Sequence, residues 1–141
     1  PLAIGTDGAA SNNCLDMFRE MFLVTGLQKV VCDDPEVVPA REVLQMAAVN
    51  GAHAMGLPEC DRLAPGKKAD LIMIDLMQPN MQPLQNIEKN VVYSGSKQNV
   101  KMTMIGGKVL YRDGEFFIGC SPDKVYEKAG ETVKRILGAE D

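Results

Sequence analysis

An aspartate near the start of the chain is the residue whose surroundings most suggest chemistry. The stretch AIGTDGAASNN places Asp7 directly after a short apolar run, and the six positions that follow are all Gly, Ala, Ser or Asn. In parallel α/β folds, catalytic side chains and metal ligands gather at the carboxyl ends of the strands. Gly5 and Gly8 let the backbone turn sharply beside the carboxylate. Two interpretations stand: Asp7 belongs to a tight strand-to-helix turn, or to a site around which small residues leave space.

The other residue types that commonly do chemistry are sparse. His53 is the only histidine, so this chain by itself cannot build a zinc site from several histidines, and we expect His53 to be partly buried or on the surface. Cys14 lies near a predicted helix N-terminus, where a thiol can become more acidic, but we expect it to pack. IGGK lacks the other residues of a phosphate-binding loop, and no G-x-S-x-G motif occurs. Asp7 is the remaining candidate, and one carboxylate does not complete a site.

The composition limits the classes of protein to which the chain can belong. It has 141 residues, 45% of them hydrophobic, and a net charge of −4. These values suit one domain-sized soluble unit and offer no excess of Lys or Arg for nucleic acid. No apolar run approaches the roughly 20 residues of a membrane-spanning helix. The four cysteines form no C-x-x-C pair and are expected to be free thiols in a reducing cytoplasm. A strand already under way at Pro1 suggests a piece of a longer protein.

The first part of the chain predicts one strand followed by two helices. Residues 2–4 form a short apolar run of the type found in buried strands. One of residues 11–13, which are Ser, Asn and Asn, can cap a helix that runs to about Val31 and ends at CDDP. A second helix has Pro39 in its first turn, carries a stripe of small apolar residues and stops at Gly56.

The second part of the chain changes to a strand-rich pattern. Residues 71–74 predict a strand buried on both faces or nearly so, residues 77–90 predict a loop, and NVVYSG predicts a further short strand. VKMTMIGGKVLYRDGEFF predicts two strands joined by a Gly-Gly turn and a third strand after Asp-Gly. Ser121 and Pro122 begin a closing helix. The order of strand, two helices, several strands and helix indicates an α/β protein made of two partial modules.

Several stretches of this sequence are similar to segments of a known superfamily of enzymes. GTDGAASNNCLDMFREM closely resembles the segment after the last barrel strand of the amidohydrolase superfamily, in particular of the 5-methylthioadenosine/S-adenosylhomocysteine deaminases. The similarity continues through LQKV, NGAHAMGL, PGKKADLIMIDL, PNMQPLQNI and MTMIGGKVLYRDGEF, so it spans nearly the whole chain in order. SNN and MQPLQNI resemble this group of deaminases more than the cytosine or guanine deaminases.

The resemblance implies a fold and a division of the chain. The superfamily has a (β/α)8 barrel, a TIM-like fold, with a small composite β-sandwich built from both chain ends. Residues 1–60 would be the C-terminal end of the barrel, with strand eight and the helices that follow it. Residues 61–120 would supply strands of the sandwich, and residues 121–141 a C-terminal helix. In isolation such a chain is an incomplete α+β piece.

The resemblance also implies a role for Asp7. It matches the strand-eight aspartate that binds a divalent metal, zinc or alternatively iron, and that carries a proton from the metal-bound water to the departing ammonia. Gly5, Thr6 and Gly8 would shape its loop. The histidine ligands and the glutamate that protonates the purine lie upstream in the family and are not among these residues. We therefore expect this chain alone neither to hold a catalytic metal tightly nor to be active.

The implied activity is hydrolytic deamination of an adenosine derivative in the cytoplasm. Water would replace the C6 amino group of 5-methylthioadenosine or S-adenosylhomocysteine, giving the inosine product and ammonia. The expected partners are the small nucleoside and the remainder of the barrel, with a homo-oligomer left open and no nucleic acid or membrane. One alternative is a related hydrolase of the chlorohydrolase, guanine deaminase or cytosine deaminase type. The other is a non-catalytic α+β interaction module, which predicts no histidine-bearing barrel strands upstream.

Overall fold

A computed structural model describes residues 1–138 of the chain. The predicted closing helix extends to residue 141, and its last three residues lie outside the described part. The helices are α1 (Met17–Cys32), α2 (Ala40–Gln45), α3 (Gly51–Ala54), α4 (Ile87–Tyr93) and α5 (Pro122–Leu137). The strands are β1 (Leu71–Ile74), β2 (Val100–Ile105), β3 (Lys108–Arg112) and β4 (Glu115–Phe116). A π-helical turn spans Met46–Asn50, and 3-10 turns span Pro58–Cys60, Pro79–Met81 and Lys97–Asn99.

The four strands form one antiparallel sheet in the order β1-β2-β3-β4. Gly106 and Gly107 have φ values of 56° and 78°, the left-handed backbone that a two-residue hairpin turn between β2 and β3 requires. The predicted hairpin and the short third strand are therefore confirmed. The prediction that β1 is buried on both faces is wrong, because Ile72 is 49% and Met73 is 55% exposed. These two side chains point to opposite faces, so each face of β1 has an apolar side chain that the described residues leave open.

The core lies between α1, α2 and α4. Its apolar members share contact with one another and are largely shielded from water: Phe18, Met21, Ala40, Val43, Met81, Val91 and Val92. Fully burying a large apolar side chain contributes about 1.5–3 kcal/mol, so this cluster holds the three helices together. Thr25 is also buried in α1, and its hydroxyl donates to the carbonyl of Val38 at 2.8 Å. This bond satisfies a polar group inside the core and ties α1 to the loop before α2.

Helix α4 replaces a predicted strand and part of a predicted loop. The β-branched pair in NVVYSG favours a strand by propensity, but Val91 and Val92 are buried within α4. Asn86 begins this helix, and its side chain accepts from the amide of Lys89 at 2.9 Å. Packing against α1 and α2 thus outweighs a propensity that spans only about 1 kcal/mol.

Residues 2–4 do not form the predicted strand. A parallel strand needs the ladder of hydrogen bonds that a neighbouring strand supplies, and the described residues contain no strand beside this segment. Instead, the amide of Ile4 donates to the carbonyl of Met46 at 3.2 Å. Ile4 also packs against the core, so the segment lies on the helical layer.

The boundaries of the helices differ partly from those predicted. The residues expected to cap α1, at positions 11–13, form a turn in which the amides of Ser11 and Asn12 donate to Gly8. The cap is Asp16, whose carboxylate accepts from the amide of Phe18 at 3.1 Å. The predicted end of α1 at CDDP is confirmed.

The second and closing helices mostly follow their predicted signals. Pro39 lies at the N-cap of α2, one position before the predicted first turn. The stop at Gly56 is confirmed, since its φ is 71° and its amide bonds the carbonyl of His53. In α5, the Ser121 hydroxyl accepts from the amide of Lys124 as predicted. Within residues 1–138, no helix combines the length and apolarity needed to cross a membrane.

Candidate functional site

Asp7 lies exposed on a backbone turn. Its φ is 57°, the left-handed region in which Asp is enriched among non-glycine residues. One carboxylate oxygen, Oδ1, accepts from the amide of Gly8 at 2.6 Å. The Thr6 hydroxyl donates to the Asp7 carbonyl at 3.2 Å. These two bonds therefore fix the direction of the side chain locally.

The donor set at Asp7 fits one ligand of a metal ion. A carboxylate oxygen is a ligand that zinc accepts, but a catalytic zinc site takes three protein ligands. Among residues 1–138, no group of three or more His, Cys, Asp or Glu side chains is close enough to hold an ion. Oδ2 of Asp7 has no hydrogen bond described within this part of the chain. Among residues 1–138, Asp7 could therefore supply at most one of the three protein ligands of such a site.

His53 lies in a charged cluster that the sequence analysis missed. Its Nε2 is 3.0 Å from Oδ2 of Asp61, whose side chain is only 3% exposed. The Lys67 ammonium lies 2.9 Å from the other carboxylate oxygen, and Arg62 approaches it at 3.8 Å. Hydrogen bonding from Lys67 and then from His53 lowers the pKa of Asp61 to about 2. The expectation of a partly buried or surface histidine is confirmed, because the His53 side chain is 54% exposed.

The Asp61 cluster links two segments of the fold. It joins the end of α3 to the turn that precedes β1, and none of its described contacts involves Asp7. The signal available in the sequence was one acidic residue followed by two lysines across a Pro-Gly turn, DRLAPGKK. Such a pattern does not show that the carboxylate is buried, so it does not separate this cluster from a solvated group of charges.

We expect the Asp61 cluster to stabilise the fold in a pH-dependent way. The pKa of Asp61 is about 2 in the folded chain against an ordinary value of 3.8. This contribution is fully present above about pH 4 and is lost as the pH falls towards 2. Asp61→Asn should remove it, so the urea midpoint of the variant should change less over this range than that of the wild type. The exposed Asp34→Asn is the control, and parallel curves for Asp61→Asn and wild type would contradict the assignment.

The cysteines are free thiols in the described chain, as predicted. Cys14 is partly buried, and its sulfur accepts from the Arg19 guanidinium at 2.6 Å. The nearby carboxylate of Asp70 raises the pKa of the Cys60 thiol. A thiol with a raised pKa is less ionised at neutral pH and therefore a weaker nucleophile. The contacts of Cys14 and Cys60 described here therefore do not indicate a nucleophile.

The comparison with family profiles identifies the class of protein. Residues 1–110 match the profile of the Amidohydrolase family, which is more than three quarters of the chain. The chain therefore belongs to the amidohydrolase family. The prediction made from GTDGAASNN and the later motifs is confirmed at this level.

Similar sequences carry more specific names. The chain is 49% identical over 115 residues to a 5-methylthioadenosine/S-adenosylhomocysteine deaminase of Nitratidesulfovibrio vulgaris, covering 82% of this chain and 26% of that protein. It is 45% identical over 114 residues to a 5'-deoxyadenosine deaminase of Methanothermobacter thermautotrophicus, covering 81% and 26%. The chain thus spans about a quarter of the length of these curated relatives.

Solved structures share the fold of this chain. An adenosine deaminase from Xanthomonas campestris with bound zinc superposes with a TM-score of 0.91 at 34% identity, over 98% of this chain and 31% of that chain. A zinc complex of atrazine chlorohydrolase from Arthrobacter aurescens gives a TM-score of 0.72 at 19% identity, over 88% and 28%. The second likeness shows the fold alone. Mixed α/β content with a small antiparallel sheet is therefore the confirmed part of the fold prediction.

Proposed function

We propose that this chain is the part of a metal-dependent aminohydrolase that supplies Asp7 to the active site. The intact enzyme hydrolyses the C6 amino group of an adenosine derivative such as 5-methylthioadenosine or S-adenosylhomocysteine. The single observation that carries the proposal is the 49% identity to a deaminase of that name over 82% of the chain. The exposed, turn-held carboxylate of Asp7 supports it, because the side chain is free to reach a ligand.

The proposed place of the chain is the end of a (β/α)8 barrel. Residues 2–4 would be its last strand, paired with neighbours from the rest of the enzyme, within a barrel end formed by residues 1–60. Residues 61–120 would contribute strands to a β-sandwich, with residues 121–141 as the C-terminal helix. Asp7 would then lie at the carboxyl end of a barrel strand, the face on which such barrels carry their active sites. The open faces of β1 support this proposal, since further chain can cover them.

The proposed chemistry gives Asp7 two tasks. A bound divalent metal supplies a Lewis acid that makes water more acidic and more nucleophilic near neutral pH. With Oδ1 accepting from the Gly8 amide, the carboxylate of Asp7 would serve as one ligand of that metal and as a proton acceptor. It takes a proton from the attacking water and passes it to the departing amino group. Overall, the C6–N bond breaks, a C6–O bond forms, and ammonia leaves.

The proposed metal is zinc, and the proposed location is the cytoplasm. Two structures of similar fold are described with bound zinc, and a carboxylate suits zinc as one of three protein ligands. Iron(II) remains the alternative metal. The proposed partners are the small nucleoside and the rest of the enzyme.

A substrate panel tests the proposed function. We expect the zinc-loaded enzyme that carries this chain to release ammonia from 5-methylthioadenosine, S-adenosylhomocysteine and 5'-deoxyadenosine. Its kcat/KM for these compounds should exceed that for guanine or cytosine by about 10²-fold or more, because a site built for one set of polar groups rejects others strongly. Faster turnover of guanine, cytosine or a chlorinated triazine would favour the related-hydrolase alternative. No turnover of any compound would favour the non-catalytic module.

A further inference from the structure

The segment that carries Asp7 is anchored on the π-helical turn at Met46–Asn50. The side-chain amide of Asn50 donates to the carbonyl of Leu2 at 2.6 Å. The carbonyl of Met46 accepts from the amide of Ile4 at 3.2 Å. The two ends of one π-helical turn therefore bond two alternate residues of the extended segment. π-Helical turns occur within helices as single bulges, frequently at functional sites.

Asp7 itself has only local bonds to hold it. Its carboxylate bonds the next amide, and its carbonyl bonds the Thr6 hydroxyl. These bonds set the shape of the turn, but they do not fix its position relative to the helical layer. The nearest described anchor along the chain is Ile4, three residues earlier, with Gly5 between them. On the C-terminal side, the amide of Asn12 bonds the Gly8 carbonyl, and its side chain bonds Glu20 of α1. The placement of Asp7 therefore depends on two anchors, of which the π-helical turn is the nearer along the chain.

We propose that Asn50 is a positioning residue for Asp7. By donating to the Leu2 carbonyl, it contributes to the register and direction of the segment that ends at the carboxylate, in addition to the neighbouring barrel strands that the proposed function pairs with this segment. This inference rests on the proposed function, in which Asp7 is a metal ligand and proton carrier. A misplacement of about 1 Å at a reacting group can cost roughly 10²-fold in rate. One distant amide can therefore affect turnover without touching the substrate.

The alternative is that Asn50 only stabilises the fold. A side-chain amide bonded to a backbone carbonyl contributes about 0.5–1.5 kcal/mol to stability. A purely structural Asn50 would lower the unfolding midpoint when removed, but the molecules that stay folded would turn over normally. A uniform loss of stability changes neither the kcat per folded molecule nor the metal content per folded molecule. These two quantities therefore distinguish a positioning role from a purely structural one.

Variants of Asn50 in the intact, zinc-loaded enzyme test the proposal. Asn50→Ala removes the donor, and Asn50→Asp removes it at nearly unchanged volume, so the second serves if the first does not fold. We expect each to lower kcat by about 10- to 100-fold with KM changed less than about threefold, because the nucleoside contacts stay in place. Zinc per folded molecule, measured by atomic emission after dialysis, should fall as well. Asn50→Gln keeps a donor and should recover part of both losses.

A matched control comes from another amide-to-carbonyl bond. The Asn90 side chain donates to the carbonyl of Met81 at 2.8 Å, within α4 and the preceding loop. Asn90→Ala should lower the unfolding midpoint but leave kcat per folded molecule and zinc content at wild-type values. If Asn50→Ala and Asn50→Asp behave like this control, Asn50 is structural and the proposal is overturned.

A double variant separates this inference from the proposed function. If Asn50 acts through Asp7, Asn50→Ala should add little further loss of kcat to Asp7→Asn, because the group it positions is already gone. Additive losses would overturn the positioning role. Wild-type turnover by Asp7→Asn would instead refute the proposed role of Asp7. A severe defect in Asp7→Asn beside normal turnover in both Asn50 variants would refute the positioning role alone.

Discussion

Asp7→Asn is expected to reduce the turnover of the intact enzyme by about 10³-fold or more while leaving its fold intact. The amide oxygen can still accept from Gly8, and Asn tolerates the left-handed backbone, so the turn should survive. The amide nitrogen, however, replaces Oδ2 with a donor that neither binds a cation nor takes up a proton at neutral pH. Proton transfer by a placed side chain contributes about 10²–10⁴-fold to rate. Steady-state ammonia release and zinc content per folded molecule measure the effect.

Asp33→Asn is the matched control for this experiment. Asp33 is also exposed and left-handed, with a φ of 50°, and it ends α1 far along the chain from the proposed site. We expect its variant to keep wild-type kcat and zinc content. The free energies of unfolding of both variants, measured with urea, should lie within about 0.5 kcal/mol of the wild-type value, as for surface substitutions in general. If Asp7→Asn kept more than a tenth of the wild-type kcat, Asp7 would not be the metal ligand and proton carrier.

Gly95→Ala is expected to cause the largest loss of stability among the variants considered. A Cβ at Gly95 would lie 2.9 Å from the Phe18 ring and would press against the carbonyl of Val91. Phe18 is 6% exposed and belongs to the core, so neither neighbour can move without disturbing the contact between α1 and α4. Overpacking of this kind costs about 1–3 kcal/mol. Urea-induced unfolding should show a lower midpoint with an unchanged slope.

Gly26→Ala, in the same helical layer, is expected to raise the stability of the protein. Gly26 lies inside α1, and a Cβ built on it meets no heavy atom within 4 Å among the described residues. Replacing an open helical glycine by alanine should therefore stabilise the protein by about 0.5–1 kcal/mol. Equal or higher stability of Gly95→Ala would show that α4 does not pack on α1 as described.

Local signals predicted the elements whose geometry is set by neighbouring residues. The hairpin between β2 and β3 follows from two adjacent glycines with positive φ, and the start of α5 follows from the Ser121 cap. Each depends on bonds that span only a few residues, so the sequence around it is sufficient. The same holds for the turn at Asp7, which is built by its own neighbours Thr6 and Gly8.

The misassigned elements depend on contacts between distant residues. The valines of α4 are helical because they pack against α1 and α2. Both of these helices lie more than forty positions earlier in the chain. Residues 2–4 lie on the π-helical turn because no strand pairs with them in the described chain. The carboxylate of Asp61 is buried beside His53 and Lys67 because the turn before β1 folds back on α3. Neither the secondary-structure propensity nor the hydrophobic periodicity of a single sequence indicates which distant residues will be in contact.

The sequence by itself determined the family, through motifs spread along the chain. It also determined the candidate aspartate and the hairpin turn, because each depends on a few consecutive residues. Only the tertiary structure decided which amide anchors the Asp7 segment, where α4 forms and how Asp61 is paired. The physical reason is that burial and hydrogen bonds between distant segments outweigh weak local conformational preferences. This stabilisation arises only when the segments are in contact.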